Sequence, residues 1–508
     1  MGRTFLPVLA ATVATGVLLI ACSDSSGVRT IGGSSTSTAT AGTRPTSTVV
    51  ATAASITWSA VGTSGRVQSG HLEVPMDYAD ASKGTFDLFV VRHLANSKQR
   101  IGTLLVNRGG PGFGSSDFAL RAEDEYDKSL TDRFDIVGWD PRGTGLSTPA
   151  IDCIDDYDHF FAGTDITPDN PQDRQRLVDL AKEFADGCVK KNARFMPYIG
   201  TNNSARDMNS IRSALGESKI SFFGFSYGSE LGAAWATLFP ATVRAAVFDG
   251  AADHSEGFTE SALQQNAGFE QAINSFLANC NSDRKCPFRN GGNADKAFDS
   301  LMAEIDAHPI PTERGRPDLT RAMALTGVAE AMYARADWPL LQTALADAKR
   351  GHGDSLLQLY DRYFQRRSDG SYDNSLEAFQ VISCQDDPER PTVAEDDATA
   401  PRYQKAAPRF APSTVGSYFC TFFPPSIEPL VDFTGKGAGP ILVMGTTGDS
   451  ATPLVSTRKM AQILQDGRLV IVTAEGHTGY HANRCSENVI DRYLIDPVSN
   501  VPSDGTRC

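Results

Sequence analysis

Three side chains in this sequence have the types and the order that acyl transfer at a carbonyl needs: Ser226, Asp449 and His477. A serine hydroxyl is a weak nucleophile until an imidazole takes its proton. The imidazole in turn needs a carboxylate to hold its tautomer and offset the charge it gains. Ser226 lies in Gly224-Phe225-Ser226-Tyr227-Gly228, the one Gly-x-Ser-x-Gly of the chain. With 45 glycines in 508 residues, composition alone yields such a string in roughly one chain in three, so the flanks decide its meaning. Lys219-Ile220-Ser221-Phe222-Phe223 is short, β-branched and aromatic, as a buried strand is. Residues 231–239 carry apolar side chains at helical spacing and stop at Pro240. Strand, sharp turn and helix hold a serine out above a sheet edge, with glycines where a Cβ would strike the neighbouring backbone.

The other two members also follow strands. Residues 441–444 lead into a turn ending at Asp449, with Thr452 predicted as a helix N-cap and Pro453 at the first helical position. Residues 469–472 lead to Ala474-Glu475-Gly476-His477. The order nucleophile, acid, base, with one helix and one strand between acid and base, is that of the α/β-hydrolase fold and not of the chymotrypsin or subtilisin folds. Asp249, at the end of a strand over 243–248, is an alternative acid and reads as a structural turn residue. His254 and His481 near the same edge read as surface or supporting groups.

The elements around these residues agree with that order. Strands are predicted over 67–74, 85–91, 101–106 and 133–139. The run Asn107-Arg108-Gly109-Gly110-Pro111-Gly112-Phe113-Gly114 after the third of them reads as an oxyanion loop. The donors expected there are the amides of Tyr227 and Gly110, since Pro111 has no N–H. Asp140 and Arg142 are expected to pair and fix the loop 140–147. Helices are predicted over 172–190 and 204–215, the second capped by Asn203 or Ser204. From 255 to 430 only helical patterns occur, over 261–277, 294–305, 319–334 and 356–364. The expected fold is therefore α/β, an α/β-hydrolase sheet with an inserted helical cap. It divides as 55–254 for the first part of the core, 255–430 for the cap and 431–508 for the second part.

Residues 1–21 read as an export leader, with Arg3 before an apolar run too short to span a bilayer. The Leu19-Ile20-Ala21-Cys22 sequence resembles a bacterial lipobox, which implies cleavage before Cys22, acylation of its thiol and a location on the outer face of the membrane. Residues 22–54 are a polar Ser/Thr-rich tether that lacks the apolar surface to fold. Of the nine cysteines, the eight beyond Cys22 imply four disulfides in an exported chain. Eight cysteines allow about 105 pairings, which the sequence leaves open; the economical one, between nearest neighbours, is Cys153–Cys188, Cys280–Cys286, Cys384–Cys420 and Cys485–Cys508. Their spacing suits no zinc site, and the chemistry needs no metal or organic cofactor. A formal charge of −14 without a basic cluster argues against nucleic acid as a partner.

Taken together, Gly109-Gly110-Pro111-Gly112, Trp139-Asp140-Pro141-Arg142-Gly143-Thr144-Gly145, the serine turn, and the Asp449 and His477 loops resemble the secreted tripeptidyl aminopeptidases. These belong to the prolyl-iminopeptidase-like group of α/β-hydrolases. Val74-Pro75-Met76-Asp77-Tyr78 and Ile382-Ser383-Cys384-Gln385-Asp386 are similar to that family too. Arg108 and Phe113 depart from its glycine loop, where a Pro and a Gly are usual. The resemblance implies peptide substrates cleaved near a free N-terminus. An esterase or lipase, or an endopeptidase with an open cleft, uses the same three residues. A solute-binding lipoprotein needs two similar α/β lobes, which this strand pattern does not offer. For an exopeptidase, Asp386 in the acidic run Asp386-Asp387-Pro388-Glu389 is the expected partner of the substrate ammonium, since an unpaired buried charge is costly.

Overall fold

The computed structural model describes residues 55–508 apart from 163, 164, 169, 253, 254, 256 and 415. The leader, the tether with Cys22, and His254 lie outside the described residues. Ten strands form one sheet: β1 (Ser59–Val61), β2 (Val67–Pro75), β3 (Thr85–His93), β4 (Gly102–Asn107), β5 (Phe134–Trp139), β6 (Ile220–Phe225), β7 (Val243–Asp249), β8 (Ile441–Gly448), β9 (Gly467–Glu475) and β10 (Thr506–Arg507). Their order is β1-β2-β3-β5-β4-β6-β7-β8-β9-β10. Pairing is antiparallel from β1 to β5 and parallel from there to β10. Every residue of β4 and β5 is buried, which is why both read as near-continuous apolar runs: helices cover both faces. The chain runs from β4 outward to β5 and then returns to place β6 on the other side of β4. Such a reversal opens a crevice beyond the carboxyl ends of the two strands. β4 ends at Asn107, which pairs with Gly224 of β6, so the glycine loop and the serine turn leave the sheet side by side.

The segment expected as one cap divides by what it packs against. The helices Gly257–Ser282, Ala294–Ala307, Arg321–Met332, Trp338–Ala348 and Asp354–Tyr363 share a core of their own around Phe276, Phe298, Leu325, Leu341 and Leu356. The helix Ser375–Asp386 instead buries Ala378, Val381 and Ile382 in the core of the main sheet, together with Phe423 and Phe433. All four disulfides pair as nearest neighbours: Cys153–Cys188, Cys280–Cys286, Cys384–Cys420 and Cys485–Cys508.

Three local expectations are corrected. Arg142 does not pair with Asp140. It is fully buried and grips both oxygens of Asp207 at 2.6 and 2.7 Å, and it also donates to the carbonyls of Pro75, Met76 and Tyr198. A buried guanidinium needs acceptors for all its N–H groups, and a single neighbouring carboxylate cannot supply them. Asp140 takes the amides of Ser116 and Leu146 instead. The second predicted helix begins earlier, as Thr201–Ala214 behind Gly200, because Asp386 accepts the Thr201 N–H from 185 positions away. Likewise Pro453, not Thr452, stands at the N-cap position of the helix Leu454–Ile463, without a side-chain cap bond, because the Thr452 hydroxyl faces His477 Nδ1 and its amide is given to Asp449.

Candidate active site

β6 ends at Phe225 and the helix Gly228–Leu238 begins two residues after Ser226, so the serine must turn the chain within one residue. It does so at φ 55, a left-handed conformation that costs on the order of 1–3 kcal/mol for a residue with a side chain. The surroundings enforce it. Ser226 N donates to Asp249 O at 2.8 Å, the Ser226 carbonyl accepts from Ser229 N and Oγ, and the following helix buries Leu231, Ala233, Ala234 and Trp235 completely. A Cβ on Gly224 would stand 2.3 Å from Gly228 O, so only glycine permits the turn. A Cβ on Gly109 would stand 2.9 Å from Ser226 Cβ and 3.2 Å from Tyr227 N, which places the glycine loop directly against the nucleophile. The Gly109 N–H is given to Asn107 Oδ1 at 2.9 Å. The Gly110 and Tyr227 amides form no hydrogen bond among the described residues, so both proposed oxyanion donors are unspent.

Asp449 is buried, and its Oδ1 receives Ala451 N, Thr452 N and His477 Nδ1 at 3.0, 2.8 and 2.8 Å. Its Oδ2 receives Thr478 N at 3.2 Å. These bonds fix the carboxylate and require a proton on His477 Nδ1, leaving Nε2 without a proton and able to accept one. Nε2 is buried and has no hydrogen-bond partner among the described residues. Burial alone would lower the His477 pKa, but the Asp449 charge and its hydrogen bond outweigh it and hold the imidazole above its ordinary value. A Cβ on Gly250 would stand 2.9 Å from His477 Cε1, and the residue before it, Asp249, accepts the Ser226 amide. Ser226 and His477 therefore flank the same strand end. From the insert, the Tyr333 carbonyl accepts the His477 backbone N–H at 2.8 Å, and the Tyr333 ring stands edge-on to the imidazole at 5.6 Å. Nothing in the sequence marks Tyr333 for this contact.

The remaining candidates lie outside the Ser226, Asp449 and His477 cluster. Asp249 is fully buried and accepts the Gly479 and Tyr480 amides at 2.7 and 2.8 Å, so it shapes the histidine loop as a turn residue does. Burial pushes its carboxyl up to about 6, against the pull of those two bonds. His481 is exposed and bonds Glu125 O and Glu487. Asp386 is not open to a substrate. It is buried, both its oxygens are taken by Thr201, and burial pushes its carboxyl up to about 7 while the Thr201 bonds oppose the rise. Asp387 is used in the same way, by the amides of Phe258 and Glu389. Next to them a cavity of about 140 Å³ is lined by Phe258, Glu389, Asp396, Tyr403, Thr414 and Phe419. The two phenylalanine rings stack at 4.8 Å, and burial raises the pKa of both carboxyl groups. Arg108 stands over Phe113 and Phe118 at 5.3 and 5.6 Å, so its cation and an aromatic ring border the glycine loop.

The chain is 32% identical to the serine protease Hip1 of Mycobacterium tuberculosis over 461 residues, 86% of each chain. It is 32% identical to carboxylesterase B of the same species over 453 residues, 86% of this chain and 85% of that one. The chain belongs to the tripeptidyl aminopeptidase-like family of α/β-hydrolases. The family model for the α/β hydrolase fold matches residues 102–291, and the one for TAP-like proteins matches residues 407–508. The tripeptidyl aminopeptidase of Streptomyces lividans is 28% identical over 447 residues, 84% of this chain and 81% of that one. Like the other members, this chain is a serine hydrolase. In it the first match spans the glycine loop and the serine turn, and the second spans the acid and the base.

Proposed function

We propose that this serine hydrolase cleaves peptides from a free N-terminus, outside the cell, through an acyl-enzyme on Ser226. The observation that carries the proposal is the strained Ser226 at the same strand end as a half-buried His477 whose Nδ1 is locked by Asp449 and whose Nε2 is buried and unpartnered among the described residues. His477 Nε2 takes the hydroxyl proton as Ser226 Oγ attacks the carbonyl carbon. The Tyr227 and Gly110 amides stabilise the resulting oxyanion, and the imidazolium returns the proton to the leaving amine. Water, activated by the same nitrogen, then releases the acyl group. One oxyanion donor of this kind is worth about 3–4 kcal/mol in the transition state.

Relatives named serine protease and tripeptidyl aminopeptidase favour peptides as substrates. The relative named carboxylesterase B supports esters as a second class, since the same steps hydrolyse both. A carboxylate for the substrate ammonium is not supplied by Asp386; the exposed Glu389 and the half-buried Asp396 line the cavity next to it and carry the charge for it. Four disulfides suit an oxidising compartment, and Leu19-Ile20-Ala21-Cys22 supplies a lipid anchor. The test is a tripeptide arylamide assayed with free and acetylated N-terminus, beside an acyl ester of matched size. The proposal expects the free tripeptide to be cleaved at least tenfold faster than its acetylated form. Equal rates refute the exopeptidase reading, and a clear preference for the ester moves the activity to the second class.

A further inference from the structure

The helix Ser375–Asp386 comes from the inserted segment yet reaches both loops of the proposed oxyanion hole, the glycine loop directly and Tyr227 through Thr201. At its start it meets the glycine loop: a Cβ on Gly112 would stand 2.4 Å from Phe379 N and from Ser375 O, so that loop lies on the helix backbone itself. At its end it meets the residue after the nucleophile. The Asp386 carboxylate accepts Thr201 N at 2.7 Å and the Thr201 hydroxyl at 2.6 Å, and the Thr201 hydroxyl is bonded in turn to the Tyr227 hydroxyl. Thr201 has one hydroxyl proton. With that proton given to Asp386, Tyr227 must be the donor to Thr201. With Asp386 ionised, the relay runs from Tyr227 through Thr201 to Asp386, and all three side chains are buried. Cys384–Cys420 and the Arg390 guanidinium on the Cys384 carbonyl hold this end of the helix in place.

We propose that Thr201 and Asp386 are positioning residues for the oxyanion hole, acting through the Tyr227 hydroxyl to hold the Tyr227 amide in line with the developing oxyanion. The helix that carries Asp386 braces the glycine loop from the other side. This rests on Ser226 being the nucleophile and the Tyr227 N–H an oxyanion donor. The physical reason is local. The chain passes through Ser226 at φ 55, and the next peptide is held at its carbonyl by Ser229 N and Oγ and, on the Tyr227 side, by the anchored tyrosine side chain. A donor that acts only on the transition state affects kcat, whereas one that binds the ground state equally affects KM.

The experiment compares Thr201→Val and Asp386→Ala with the conservative Thr201→Ser and Asp386→Asn in the full chain. Asparagine keeps an acceptor for Thr201 N, and its amide reaches the Thr201 oxygen, so the relay reverses but stays connected. Thr201→Val is expected to lower kcat about 10- to 100-fold with KM within about twofold. Its affinity for a peptide trifluoromethyl ketone, whose adduct places an oxyanion in the hole, falls by the same factor. Thr201→Ser and Asp386→Asn return most of both. If Asp386→Ala does not fold, Thr201→Val and Tyr227→Phe decide, and the same split is expected of each. A Thr201→Val protein that melts lower but keeps wild-type kcat and ketone affinity overturns the proposal and makes the relay merely structural. Turnover by Ser226→Ala, or failure of the wild type to bind the ketone, overturns the nucleophile assignment instead, so the two failures are read apart.

Discussion

Replacing Asp449 by asparagine removes one charge with almost no change of shape, and the local bonds say how the amide sits. Oδ1 serves Ala451 N, Thr452 N and His477 Nδ1, whereas Oδ2 serves Thr478 N alone. The amide oxygen therefore takes the Oδ1 place, and the NH2 group faces one N–H instead of three. His477 keeps its tautomer and loses the carboxylate charge. Unit charges ~4 Å apart at an effective dielectric constant of 20 interact by about 4 kcal/mol, which is about three decades of rate. Where the amide flips and the tautomer is lost too, the loss approaches about 10⁴. Asp449→Asn is thus expected to lower kcat by about 10³ to 10⁴ with little change in KM. The pH profile moves with it. Neutral imidazole is the active form, so the rate rises with pH through the His477 pKa, which Asp449 holds above its ordinary value against burial. Without the carboxylate charge, burial prevails and the acid limb shifts to lower pH. Profiles of kcat/KM for wild type and variant read both effects. A loss under tenfold, an unmoved acid limb, or a more severe defect in Asp249→Asn refutes the assignment of Asp449.

Arg142→Met leaves the Asp207 carboxylate buried without its partner, so urea denaturation should show a loss of about 3–5 kcal/mol. The closed loops differ in length, 36 positions for Cys384–Cys420 and 6 for Cys280–Cys286. Replacing each pair by serines is expected to cost about 4 and about 2 kcal/mol, and a reversed order refutes the loop-entropy argument. Cys22→Ala is expected to move the protein from the detergent phase to the aqueous phase of a partition assay; unchanged partitioning removes the lipid anchor.

What the sequence reveals and what it hides follow from the range of the interactions. The serine turn is legible because strand, glycines and helix are contiguous, and the acid and base because each follows a short apolar run. The disulfides are legible because each joins cysteines adjacent in the cysteine order. The start of the helix Thr201–Ala214, the partner of Arg142 and the place of Asp386 are not. Each is settled by a buried group from a distant segment: Asp386 for Thr201, Asp207 for Arg142. An acidic run reads as available charge, but the fold spends Asp386 and Asp387 on backbone amides and leaves Glu389 at the cavity. The insert reads as one helical stretch because the periodicity of the helix Ser375–Asp386 does not say which core receives its apolar face.

The most direct test of the account is the site of covalent modification by a fluorophosphonate that carries a short peptide. Peptide mapping by mass spectrometry should find one adduct per chain, on the peptide containing Ser226, absent from Ser226→Ala and formed far more slowly by His477→Ala. An adduct on another serine, or labelling of Ser226→Ala at the wild-type rate, contradicts it.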